Sequence, residues 1–259
     1  MLYQLIIFAK KNLFPYISSI SKIYPVMKKI FPFILFLLSI SLKAQYADSL
    51  FITPINRGEL MLRLTTIPCG IQPKDNVKTI CSKLEKFLIS YKDDPNFPDD
   101  KFAKVVNLQA LKSVKIGGYG IGALIYENKT GKILHAAHNS QLTKSRSDLH
   151  GEMMLLNEFE DNPKNKKYRN KYVCKEGLTI FSSAEPCPMC FIRIATVGVD
   201  TKYCTAGPDD GMTQRVNCLP PYWRDLASKH LIVKARSSPV MQMIAHVLFY
   251  SYILDNRHV

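Results

Sequence analysis

Three side chains with metal-binding chemistry fall into one ordered pattern. His150-Gly151-Glu152 precedes Pro186-Cys187-Pro188-Met189-Cys190, and 34 residues separate Glu152 from Cys187. One imidazole and two thiolates are three good zinc ligands. A set of three leaves the fourth tetrahedral position to water, which distinguishes a catalytic zinc site from a closed structural one. Glu152, two residues beyond His150 on what should be a helix's first turn, stands beside the metal without filling that position. Chance is a poor rival. With seven Cys and fifteen Pro in 259 residues, composition alone yields about 0.01 Pro-Cys-x-x-Cys matches, so the spacing needs a reason.

The chemistry open to such a site is hydrolytic. Zinc lowers the pKa of a coordinated water from about 15.7 toward 7. The resulting hydroxide attacks an amidine carbon, such as C4 of cytosine or C6 of adenine. Ammonia leaves, so a neighbouring carboxylate must carry protons between water, ring nitrogen and amine; Glu152 is the candidate. Each residue has a plainer alternative. Glu152 fits a surface helix, and His150 fits a capped or partly buried histidine. Cys187 and Cys190 fit a disulfide, or a closed structural site completed by a ligand such as His138. Against the closed site, no second Cys-x-x-Cys or His pair completes a typical set. Helix starts are expected at both His150 and Cys187, and two helix N-termini aimed at one point favour thiolates and anions.

The flanking pattern supplies elements to hold these residues. From Tyr46 to Asn76 there is no clear periodicity, which reads as a lead into the domain with short strand or turn segments. Val77, Ile80, Cys81, Leu84, Phe87, Leu88 and Tyr91 recur at helical spacing. Asn96 to Asp100 reads as a turn, and Phe102 to Leu111 as a second helix, shorter and less regular. Gly120–Glu127 and Lys132–Ala137 form a hairpin around Asn128-Lys129-Thr130-Gly131, with Asn139 at its exit. Ser147 or Asp148 is the expected cap of the His150 helix. Glu160 to Gly177 is polar and basic, a solvated loop. Leu178–Ser183 is a strand entering the cysteine motif, and Pro186 and Pro188 suit a helix start. Another strand (Lys202–Ala206), a loop (Gly207–Gly211), a short helix (Pro221–Ser228), a last strand (Leu231–Val233) and an apolar helix (Val240–Ile253) complete the chain. This order gives one α/β domain with a mixed sheet and helices on both faces.

The bulk numbers are those of a globular protein: 47% apolar and 22% charged. The net charge of +14 favours anionic partners, nucleic acid or membrane surfaces among them, although a scattered Lys-rich surface accounts for it equally. Residues 1–45 read as a leader. Met27-Lys28-Lys29, the 12 uncharged residues Phe31–Leu42 and the small exit residue Ala44 together describe a secretory signal within Met27–Gln45, with Met27 an alternative start to Met1. The protein is then exported, periplasmic or secreted, with no stable membrane span once the signal is removed. The rival is an uncleaved membrane anchor helped by Leu5-Ile6-Ile7-Phe8. Beyond the metal pair remain Cys69, Cys81, Cys174, Cys204 and Cys218; Cys69 and Cys81 could pair in an oxidising compartment.

The region from about Gly120 to Gly211 resembles the cytidine and deoxycytidylate deaminase superfamily, nearest its branch of tRNA adenosine deaminases and guanine deaminases. The residues that carry the resemblance are Gly122-Ala123, Asn139, His150-Gly151-Glu152 and Glu185-Pro186-Cys187-Pro188-Met189-Cys190, in the branch's order. The resemblance implies that His150, Cys187 and Cys190 bind Zn2+ and that Glu152 shuttles protons. It implies that Asn139 contacts the substrate, and that the backbone N–H near Ala184-Glu185 helps hold the activated water or substrate. The fold it implies is a three-layer α/β/α sandwich with a mixed sheet, commonly dimeric, so a homodimer is a possible partner state. The basic insert before Leu178 is longer than the branch's pattern, and residues 1–45 and 240–253 have no counterpart. The expectation is a single deaminase-like domain over 46–259, acting on a purine or pyrimidine nucleobase, nucleoside or nucleotide. The alternatives are an exported polynucleotide deaminase or toxin and a non-catalytic zinc-stabilised binding module.

Overall fold

In a computed structural model, the structure describes residues 56–168, 177–206 and 211–255. All belong to the unit 51–259. A five-stranded sheet runs in the order β2-β1-β3-β4-β5. Its strands are β1 (Gly122–Glu127), β2 (Ile133–His138), β3 (Leu178–Ala184), β4 (Asp200–Thr205) and β5 (Ile232–Lys234). β1 pairs antiparallel with β2 and with β3, whereas β3–β4 and β4–β5 are parallel. The sheet is therefore mixed, as expected. β3 is central and buried at all seven positions, so it reads as an apolar run rather than an alternation.

Helices cover both faces. In chain order they are α1 (Arg57–Thr66), α2 (Val77–Ser90), α3 (Asp100–Lys115), a single turn α4 (Gln141–Lys144), α5 (Gly151–Asp161), α6 (Pro188–Val197), α7 (Pro221–Ser228) and α8 (Pro239–Phe249). One face of the sheet offers Ala123, Ile125, Leu178 and Ile180 to Leu155, Leu156 and Phe159 of α5 and Ile194 and Val197 of α6. On the other face Phe102 of α3 stacks on Tyr126 at 4.0 Å and leans on Phe181 at 5.7 Å between ring centres. α8 packs against α3, β3 and β4 on that face. The result is the three-layer α/β/α arrangement.

Some elements differ from the sequence reading. A helix, α1, occupies part of the stretch that showed no periodicity. Its pattern is obscured because Leu62 is 68% exposed while Arg63 is buried, its guanidinium 2.8 Å from His246 Nε2. α3 has sixteen residues, not a short run, and Asp100 is its first residue rather than part of a turn. Asp99 accepts from Lys202 Nζ and Arg236 N, and the buried Asp100 accepts from Tyr91 Oη and Ser238 N, at 2.5–2.9 Å. These two acids tie α2, β4 and the start of α8 to the head of α3. The terminal helix stops at Phe249 and continues as a 3-10 turn, Ser251–Asp255; the turn brings Tyr252 edge-on to Tyr119. α8 packs on the core, with Met241, Ile244 and Val247 buried. Cys69 and Cys81 are separate thiols. The leader 1–45, Cys174, most of the Gly207–Gly211 loop and the middle of the basic stretch lie outside the described residues. Among the described residues no helix is long and apolar enough to cross a membrane.

At Gly122 the backbone of α3 comes close to β1. A Cβ there would lie 2.2 Å from the Val106 carbonyl oxygen and 2.7 Å from Ala110 N, both backbone atoms of α3. Gly122→Ala is expected to destabilise by about 2 kcal/mol or more, lowering Tm by roughly 4–8 °C in a thermal melt.

Candidate active site

Two helix N-termini meet at one point. His150 is the N-cap of α5 and Cys187 the N-cap of α6, each in an extended backbone conformation with no side-chain capping bond. Both lie where the helix N–H groups project positive potential, and the Cys190 N–H helps hold the Cys187 sulfur as a thiolate. Ser147 and Asp148 do not cap α5. Asp148 instead pairs with the Arg146 guanidinium at 2.5 Å, two residues before the N-cap His150. Pro188, at the first helical position of α6, gives up an N–H that would have no partner there. One turn on, Cys190 projects back toward Cys187. At the far end, Gly198 closes α6 in the left-handed conformation with φ +76°.

His150, Cys187 and Cys190 offer ligand atoms that all lie within 4.8 Å of one another. Cys187 Sγ is 3.6 Å from His150 Nδ1. A tetrahedral zinc with ordinary Zn–S and Zn–N bonds holds its ligand atoms roughly 3.3–3.8 Å apart, so the donor set and its spacing suit that ion. Among the described residues, no fourth His, Cys, Asp or Glu joins the group, and His138 is not part of it. His138 ends β2 and faces a groove shared with Lys112, Lys144 and Glu158.

The two sulfurs divide one charge between them. The hydrogen bond from Cys190, together with that of His150, holds the Cys187 thiol down at about 4 against the opposing effect of burial. Cys190 is pushed well up, because it donates to Cys187, is buried and adjoins Glu152. Glu152 is 3% exposed, and burial raises its carboxyl above the ordinary carboxylate range. Ser182 Oγ opposes this by donating to Glu152 Oε1 at 2.8 Å.

The three residues expected to face substrate are less uniform. Asn139 is fully buried, directly after β2; its N–H donates to Ile121 O at 2.9 Å. That same carbonyl oxygen would lie 3.3 Å from a Cβ on Gly151, which places Asn139 beside the start of α5 and explains the small residue between His150 and Glu152. The Asn139 amide is engaged by Gln141, through the Gln141 N–H and Oε1 at 3.0 and 2.9 Å. Ala184 ends β3, buried. The Glu185 N–H donates to Thr205 O at 2.8 Å. The Glu185 carboxylate accepts from Thr213 N at 2.9 Å and from Thr213 Oγ1. The sequence reading missed Ser182 and Thr213. Ser182 had a signal: a hydroxyl two residues beyond Ile180 on a strand face otherwise apolar. Thr213 had none, being 28 residues from its partner.

Residues 98–206 match the cytidine and deoxycytidylate deaminase zinc-binding region. The match starts upstream of the stretch on which the resemblance was read and takes in α3. A tRNA-specific adenosine deaminase of Bacillus subtilis is 32% identical over 99 residues, 36% of this chain and 52% of the relative. A cytosine deaminase of Candida albicans is 34% identical over 102 residues, 39% of this chain and 62% of the relative. The chain thus spans about half to three fifths of the length of these relatives. Among solved structures, guanine deaminase from Nitrosomonas europaea is 17% identical, with a TM-score of 0.44 over 71% of this chain and 94% of that one. The resemblance to the deaminase superfamily is thereby borne out, and zinc is the metal of the matched region.

Binding a metal at this trio must displace the Cys190 proton, because Cys187 is already ionised at neutral pH. Zinc affinity is expected to rise by about tenfold per pH unit between pH 7 and 8.5 and to weaken on acidification, as competition titrations with a chelator will show. Cys187→Ala or Cys190→Ala is expected to take zinc content from near one per chain to near none.

Proposed function

We propose that the protein is a zinc-dependent hydrolytic deaminase acting on the amino group of a purine or pyrimidine presented as a free nucleobase, nucleoside or nucleotide. The observation that carries this reading is the meeting of His150, Cys187 and Cys190 at two helix N-termini with a buried glutamic acid beside them. His150 and the two cysteines would hold the metal. Zinc bound there supplies a Lewis acid that makes hydroxide available near neutral pH. The overall reaction replaces a ring C–NH2 by C=O, consumes water and releases ammonia. Two protons must therefore leave the water, one ending on a ring nitrogen and the other on the departing amine. The Glu152 carboxyl would accept and return them. Burial brings that carboxyl's proton affinity closer to the working pH, which suits a group that must do both. The open side of the trio, with no fourth protein ligand among the described residues, supports turnover over a closed structural role.

The alternative substrate is a polynucleotide, as the tRNA-specific relative suggests. Basic charge favours it: residues 163–176 carry six Lys and Arg against one acid. Their described part, Lys164, Lys166 and Lys167, follows the C-terminus of α5. His150 is at the other end of that eleven-residue helix, about 16 Å away. Lys164, Lys166 and Lys167 thus lie at the end of α5 away from the trio, which weakens their case as a cradle for a strand at the site. Export through Met27–Gln45 is part of the proposal and rests on the residue pattern alone.

Zinc-loaded protein is expected to release ammonia from at least one of cytosine, cytidine, adenine, adenosine, guanine and their nucleotides. Glu152→Gln is expected to lower that rate by at least about a hundredfold with zinc content unchanged. Zinc-loaded protein silent on the whole panel contradicts the reading, and salt-sensitive deamination of single-stranded RNA alone would transfer it to the polynucleotide. A reporter fused after Gln45 is expected outside the cytoplasm, and deletion of residues 27–45 is expected to retain it inside.

A further inference from the structure

A glutamate reaches its working position through three side-chain torsions, and what its carboxyl touches decides which rotamer holds. The Glu152 carboxyl touches a hydroxyl: Ser182 Oγ donates to Oε1 at 2.8 Å, across 30 residues of sequence. Ser182 is fully buried in β3, which is paired on both sides, by β1 and by β4. Its face of the strand otherwise presents Leu178 and Ile180 to the apolar layer under α5. A buried hydroxyl in such a layer is costly without a partner, and its partner is this carboxyl. Cys190 also adjoins Glu152. A cysteine gives up its proton when its sulfur ligates a metal, whereas a serine hydroxyl keeps its own. The Glu152 N–H also donates to the carboxyl, and Ser182 is then the side-chain donor that persists.

We propose that Ser182 is a positioning residue that fixes one oxygen of the Glu152 carboxyl and leaves the other for proton transfer. The role rests on the deaminase reading above, but the contact itself does not. Ser182 acts through Glu152, from the central and fully buried strand of the sheet, and touches no reacting atom.

Two measurements test it. The first is a cycle of Ser182→Ala, Glu152→Ala and the double variant, followed by denaturant unfolding of the purified proteins. Ser182→Ala is expected to shift the unfolding equilibrium roughly tenfold in the wild-type background and far less when Glu152 is already Ala. Equal shifts in both backgrounds overturn the proposal. The second uses whichever panel compound the wild type deaminates. Ser182→Ala is expected to lower kcat roughly tenfold or more, with KM and zinc content unchanged, and Ser182→Thr, which keeps the hydroxyl, is expected to restore most of the rate. An unchanged kcat in Ser182→Ala, or no rescue by Thr, overturns it. A wild type silent on every compound sinks the deaminase reading instead, and the unfolding cycle still decides whether Ser182 holds Glu152.

Discussion

Two helices begin at the same place. α5 and α6 come from separate parts of the chain, yet their capping residues, His150 and Cys187, stand 3.6 Å apart between Nδ1 and Sγ. Neither side chain caps its own helix. The positive ends of both helices therefore act on the space between them, and a thiolate there is favoured over a thiol. β1, β2 and β3 form the platform, and the apolar layer around Phe159, Ile180 and Ile194 fixes the two helices on one face of it.

The C-terminal end of β3 does the local work. Its last polar side chains each take hold of a different element. Ser182 reaches α5 through Glu152, Ser183 Oγ accepts the Gly122 N–H of β1 at 3.0 Å, and Glu185 holds the segment after β4 through Thr213. Met212 N also donates to Pro186 O at 3.1 Å. The turn that carries Cys187 is thus gripped on both sides, while the helix that carries His150 is oriented by Gly151 under Ile121. Such bonding from a buried central strand limits how far the donor atoms drift, and small displacements are what a site of this kind tolerates least.

Much of this was legible in the residues. His-x-Glu and Pro-Cys-x-x-Cys carry their geometry in their spacing, and the prolines announce the start of α6. The hairpin, β3, α6 and α7 follow from turn chemistry and apolar runs. What escaped was decided by tertiary contacts. α1 hides because an exposed Leu62 and a buried Arg63 invert the usual pattern. The head of α3 looked like a turn because Asp99 and Asp100 read as surface acids, whereas both are buried by partners more than 100 residues away. The cap of α5 fell on His150 rather than on the better capping residues before it, which a local propensity rule does not foresee. Ser182 and Thr213 acquire their roles only when the chain is folded.

The coordination of the metal tests the account most directly. X-ray absorption at the zinc edge of the purified protein should show two sulfurs at about 2.3 Å, one imidazole nitrogen, and one further light atom from solvent at about 2.0 Å, with the imidazole signal lost in His150→Ala. A metal held by four protein ligands, or by no sulfur at all, would contradict it.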